Sequence, residues 1–179
     1  MNIKIVFLVG IVLSLSSCQW LMNPQPYPPP YSVTIGSRIT IHQDLPIDAN
    51  EVTVVLQEGK VINRRNLKVR QPSCRFEVLT IKATPQTLYK DVTEIIRFVH
   101  YTEYVSTGLI QFASLDGALA NAASPTAEIY ITEIYLRSQK QPDLFRLVCS
   151  HWEDPTHGDY LTMDSMSRAL GTLASFTTK

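Results

Sequence analysis

Net charge is the first thing this sequence lacks: 16 Lys and Arg balance 16 Asp and Glu. Without an excess of cations the chain projects no broad positive field, which removes nucleic acid from its expected partners. The short patterns that carry much enzyme chemistry are also missing. There is no G-x-S-x-G elbow, no S-x-x-K, no glycine-rich phosphate loop, no C-x-x-C and no H-E-x-x-H. Acyl transfer, phosphate cradling, thiol exchange and zincin hydrolysis therefore have no sequence support, and no cofactor is expected. With four His in the chain, a Ser-His-Asp triad is assembled only from scattered residues, which has no specificity. Internal repeats are absent, and so is a run long enough to span a bilayer. Ile5 to Leu15 (IVFLVGIVLSL) is well short of the roughly 20 apolar residues a spanning helix needs.

That short run is informative for what surrounds it. Lys4 precedes it, and small residues follow, the physical plan of a secretory signal peptide. Leu15-Ser16-Ser17-Cys18 resembles the lipobox of bacterial lipoproteins. The resemblance implies that Cys18 is acylated, palmitate among the acyl groups, and becomes the mature N-terminus. It covers only the first eighteen residues. Gln19 is not the Asp that signals inner-membrane retention, so the pattern implies anchoring in the outer membrane of a Gram-negative cell, facing the periplasm.

PQPYPPPY, residues 24 to 31, follows directly. Proline fixes φ and lacks a donor, so this stretch reads as a polyproline II spacer of about 3.1 Å per residue. Tyr27 and Tyr31 suit a membrane–water interface. The expected organisation is a signal peptide over 1–17, an acylated cysteine and linker over 18–32, and one domain over 33–179.

Three cysteines are odd in number for an exported protein. The lipobox resolves this by using Cys18, leaving Cys74 and Cys149 as a disulfide in an oxidising compartment; two buried free thiols are the alternative.

In the body of the chain, period-2 alternation dominates. RITIH (38–42), EVTVVLQ (51–57), the run after Cys74, EIYITEIYL (128–136) and the run 144–152 read as strands. In the last, Phe145, Leu147 and Cys149 are expected on one face. DVTEIIRFVHYTEYV (91–105) fits helix or strand; its Val, Thr, Tyr and Phe favour strand. Near the C-terminus Thr162 caps a helix, Met163, Met166 and Leu170 share a face, and Gly171 stops it. Segment 113–127 is small and polar and reads as a loop or short helical insert. The fold class expected is mainly β: a small β-sandwich or open barrel with one short C-terminal helix.

Two constellations remain. HWEDPTHGD (151–159) offers His151, His157 and Asp159 as metal ligands, but the spacing matches no known signature, and a polar turn after the last strand explains it as well. Lys60, Arg64, Arg65, Lys68, Arg70 and Arg75 follow one another with no acid between them. Such a run suits an anionic lipid, a glycan or an acidic partner; a solvated hairpin face is the plainer account. The expected function is a non-enzymatic binding or assembly subunit of an envelope complex. Its partners would be the membrane, through the lipid anchor, and envelope proteins or an anionic lipid or glycan. The alternative is a small periplasmic hydrolase or metal-dependent enzyme using the 151–159 cluster.

Overall fold

β-Branched and aromatic residues at alternate positions build ten strands among the described residues of a computed structural model, which are 33–105, 127–153 and 161–178. They are β1 (Arg38–Ile41), β2 (Leu45–Ile47), β3 (Thr53–Gln57), β4 (Lys60–Ile62), β5 (Ser73–Val78), β6 (Gln86–Leu88), β7 (Asp91–Val105), β8 (Ala127–Arg137), β9 (Leu144–Glu153) and β10 (Ala174–Thr177). One α-helix, α1 (Met163–Leu170), completes the set. Eight strands form one antiparallel sheet in the order β10-β1-β7-β8-β9-β5-β3-β4, and β2 pairs with β6 in a separate ribbon.

The large sheet curls into a half-barrel, so the open-barrel expectation holds and a two-sheet sandwich is not what forms. The reason is visible in α1, which touches β10 at one end of the strand order and both β3 and β5 near the other. Only a curled sheet brings those strands to one helix. Thr162 caps α1 by accepting from the Ser165 N–H at 3.1 Å. Met166, Ala169 and Leu170 bury on its inner side, and Arg168 pairs with Asp164 on the outer side. Gly171 then ends the helix at φ +57°.

The turn between β3 and β4 meets that helix end. The Gly59 N–H donates to the Ala169 carbonyl at 3.0 Å, and a Cβ on Gly171 would lie 2.4 Å from the Gly59 Cα. Two glycines at positive φ are what allow the backbones this close.

Inside the curl sit Ile39, Ile41, Leu56, Phe76, Ile134 and Leu147, with Leu45, Ile47 and Leu88 of the small ribbon joining the same core. Burying one such side chain contributes about 1.5–3 kcal/mol. Cys74 and Cys149 are direct cross-strand partners on β5 and β9. They form a disulfide with Cα atoms 4.0 Å apart, buried at the inner face. Closing a loop of 75 residues stabilises by about 4 kcal/mol in the chain-entropy model.

Residues 91–105 are strand throughout, with one irregularity. The register with β8 shifts between Ile95 and Arg97, so the inward positions change from Thr93 and Ile95 to Phe98. A second shift, between Glu77 and Val78 opposite Arg146 and Leu144, skips Phe145. That residue accordingly leaves the face of Leu147 and Cys149 and packs edge-on against Tyr135 at 5.3 Å. A bulge is invisible to strict alternation, which is why the sequence pattern put Phe145 inside.

Candidate functional site

The cationic run does not fold as a hairpin. β4 pairs only with β3, and β5 lies on the other side of β3, so residues 63–72 cross over an end of β3. Asn63 starts a short 3-10 turn, Arg64–Asn66, by accepting from the Arg65 N–H at 2.9 Å. The loop is then fastened by Gln57, a β3 residue only 3% exposed. Its amide donates to the carbonyls of Lys68 (3.0 Å) and Gln71 (3.2 Å) and accepts from the Lys68 N–H (3.0 Å). From β9, the Trp152 N–H donates to the Val69 carbonyl at 3.0 Å. A buried amide left unbonded costs about 1–3 kcal/mol, so Gln57 and the loop require each other.

On this fastened backbone Lys60, Arg64, Arg65, Lys68 and Arg70 are all exposed. Lys68 reaches Glu58 at 3.1 Å, with both side chains more than half exposed. Lys60, Arg64, Arg65 and Arg70 have no ion pair among the described residues. Val61 and Val69 stand exposed among them, at 40% and 41%.

Arg75 departs from the sequence grouping. It lies in β5, half-buried, and its Nε is 2.8 Å from Glu77 Oε1. It is the end of an ion ladder on the outer face of the sheet. Arg146 joins Glu77 (2.6 Å) to Glu133 (2.7 Å). Tyr135 and Tyr101 donate to Glu133 at 2.8 and 3.2 Å, and the Arg97 guanidinium lies 5.1 Å over the Tyr135 ring. Burial pushes the Glu77 carboxyl up, but hydrogen bonds from Arg146 and Arg75 outweigh it and hold it below its ordinary value. Burial likewise pulls Arg146 down, and its bond to Glu77 reverses that. Arg75, Glu77, Arg146 and Glu133 each have an answering charge.

The 151–159 cluster is only partly within the described residues: His157 and Asp159 lie outside them. His151 is buried at the inner face, 3.6 Å from Glu153 and with its ring 5.8 Å from that of Tyr130. Among the described residues no three His, Cys, Asp or Glu side chains group as a metal site. Of the other histidines, His100 meets Thr132 at 3.1 Å, and burial lowers its pKa. His42 meets Ser175 at 2.8 Å on an exposed edge, with no carboxylate bonded to the ring among the described residues. A Ser138 hydroxyl donates to the buried Asp91 carboxylate, which also accepts from the Gln141 amide at 3.2 Å. That pair contains no imidazole and locks the turn before β9 rather than arming a nucleophile. Sequence reading passed over this lock and the ion ladder, because each is made by strand neighbours far apart in the chain.

Cys18 and the lipobox, the proline linker and segment 113–126 also lie outside the described residues. No helix among the described residues is long and apolar enough to cross a membrane. No family model, curated protein or solved structure matches this chain.

Proposed function

We propose that this protein is a lipoprotein anchored in the outer membrane through Cys18, and that its domain is a non-enzymatic binding or assembly subunit of the envelope. Its contact surface for an anionic partner is the 60–70 segment. One observation carries the reading: Lys60, Arg64, Arg65 and Arg70, exposed and without an ion pair among the described residues, stand on a segment whose backbone the buried Gln57 side chain holds in place. Ordering a surface in advance lowers the entropy lost on binding. The LSSC site after a short apolar run supports the anchor, since more than one acyl chain on Cys18 would convert an exported domain into a stably tethered one.

Two measurements test it. Growth with labelled palmitate should mark the wild type and not Cys18→Ser; equal labelling of both would end the lipoprotein reading. Crosslinking in intact membranes followed by purification should recover a partner with the wild type. A Lys60, Arg64, Arg65 and Arg70 to Ser variant should recover much less, and an equal yield would remove the loop from the contact surface.

A further inference from the structure

We infer that the cavity between the start of β1 and the end of β8 binds a small molecule with an anionic head, a carboxylate or a phosphate, on an apolar body. The inference rests neither on the lipid anchor nor on the 60–70 segment. The cavity has a volume of about 530 Å³, within the range of small-molecule sites. Its walls come from the start of β1, the first residues of β7, and the end of β8 with the turn that follows.

The register sets the charges around it. β7 lies between β1 and β8, and Glu94 is the partner of Arg38 on one side and of Arg137 on the other. Residues directly opposite share a face of the sheet, so one acid stands in a row between two arginines. Glu94 holds Arg137 at 2.7 Å. Arg38 is exposed and has no ion pair among the described residues, and the same is true of Lys140 in the turn. The second acid of the wall, Asp91, is buried. Its carboxylate accepts from the Ser138 hydroxyl, the Gln141 amide at 3.2 Å and the Val92 N–H at 2.8 Å. Three cations thus face two acids that the fold already uses.

Arg38 and Lys140 stand on ordered backbone. β1 is paired on both sides, with β10 and β7. The Lys140 and Gln141 N–H groups both donate to the Ser138 hydroxyl oxygen, at 3.1 and 2.8 Å, and fasten the turn. A site ordered in advance loses little entropy on binding. A guanidinium takes a carboxylate or phosphate through two parallel hydrogen bonds, and an ammonium adds a point charge. Val92, 52% exposed, puts apolar surface into the same wall, which asks for an apolar body beside the head. Shape rather than charge chooses the size of the ligand. A hollow of this volume surrounds a small molecule, whereas an extended acidic surface would meet only its rim.

The test titrates the full chain, kept in neutral detergent, with phenyl phosphate, benzoate and inorganic phosphate at one ionic strength, read by calorimetry. Saturable one-site binding of phenyl phosphate or benzoate is expected, and the tighter of the two names the head group. Inorganic phosphate lacks the apolar body and should bind about tenfold more weakly than phenyl phosphate. Changing Arg38 and Lys140 together to Ser should weaken binding at least about tenfold. Arg38→Lys with Lys140→Arg keeps both charges and should keep most of the affinity, which separates lost charge from lost fold. Val92→Trp keeps every charge and fills the cavity, so it should abolish binding. Lys82→Ser removes an exposed cation outside the walls and should change nothing. The inference is overturned if neither aromatic anion binds, if Val92→Trp binds as well as the wild type, or if inorganic phosphate binds as tightly as phenyl phosphate. Capture of polyglutamate that depends on Arg38 and Lys140, without binding of the small anions, overturns it in favour of an acidic macromolecule.

Discussion

Two sets of basic residues on this domain, Arg75 with Arg146 and the cations of the 60–70 segment, differ in burial and in pairing. Arg75 and Arg146 lie flat on the outer face of β5 and β9, mostly buried, each bonded to Glu77 at 2.8 and 2.6 Å. Lys60, Arg64, Arg65 and Arg70 stand in water on the 60–70 segment without a paired acid among the described residues. The ladder's charges are consumed by the fold, since a half-buried cation is tolerated only with an answering anion. The loop's charges are not needed by the fold, and what holds the loop is an amide, Gln57. A charge without an internal partner is available to an external one. Arg38, Lys82, Lys90, Arg97 and Lys140 are also exposed without an ion pair among the described residues, so what marks the loop is that four such cations fall within residues 60–70.

Glu77 is where the ladder is most vulnerable. Glu77→Ala leaves Arg75 and Arg146 facing each other over a half-buried site, with Glu133 still holding Arg146. A loss of about 3 kcal/mol in urea unfolding is expected, without loss of partner capture by the 60–70 segment. The pH dependence carries the same signature. The folded carboxyl releases its proton more readily than the ordinary value of 4.5, because the arginine bonds outweigh burial. Its stabilisation is therefore fully present above about pH 4.5 and is lost as pH falls through the lower folded value. Glu77→Gln should flatten that acid limb. An unchanged limb would mean that the ladder's charges are as idle as the loop's.

Gln57→Leu should cost less, because it releases the loop and leaves the ladder intact. It keeps the volume and all the cations but deprives the Lys68 N–H and the Lys68 and Gln71 carbonyls of their amide partner. Because these groups can rehydrate if the loop lifts, a cost of about 1–2 kcal/mol is expected. Hydrogen exchange should show the Lys68 amide losing protection while the core strands keep theirs. Retained protection would show that the loop is held by its own turn and the Trp152 bond instead.

How much of this was legible in the sequence follows from the range of each signal. Period-2 runs showed the main strands, and Thr162, Met166, Leu170 and Gly171 marked α1, because caps and alternation are local. The Cys74–Cys149 bridge was legible from cysteine arithmetic, since only two thiols remain once Cys18 is set aside. The bulges at Ile96 and Phe145 were not, because an extra residue reverses the facing without changing composition. The β2–β6 ribbon was missed because three-residue strands give no period to detect. At the candidate site the exposed cations were legible as a run without acids. Arg75 does not belong among them: the acid that pairs with it, Glu77, lies two residues further on in the same strand, just past the end of the acid-free run. Gln57's role was illegible because a glutamine at the end of a strand looks polar and exposed until a loop closes over it.

The smallest stability effect belongs to the loop's own charges, and it is the strictest check on the contrast. Changing Arg64, Arg65, Lys68 and Arg70 to Ser removes one exposed pair, Lys68–Glu58, worth between zero and about 1 kcal/mol. It also relieves repulsion among like charges crowded onto a few residues, which acts in the opposite direction. The two should nearly cancel, leaving urea stability within about 0.5 kcal/mol of the wild type. Salt separates them. Screening stabilises a domain that carries self-repelling cations, so the wild type should gain stability on adding salt, and the variant should gain less. A loss of 2 kcal/mol or more, on the order expected for a broken buried contact, would show that these side chains are part of the fold. The loop would then have no charges to spare for a partner, and the distinction between it and the ladder would fail.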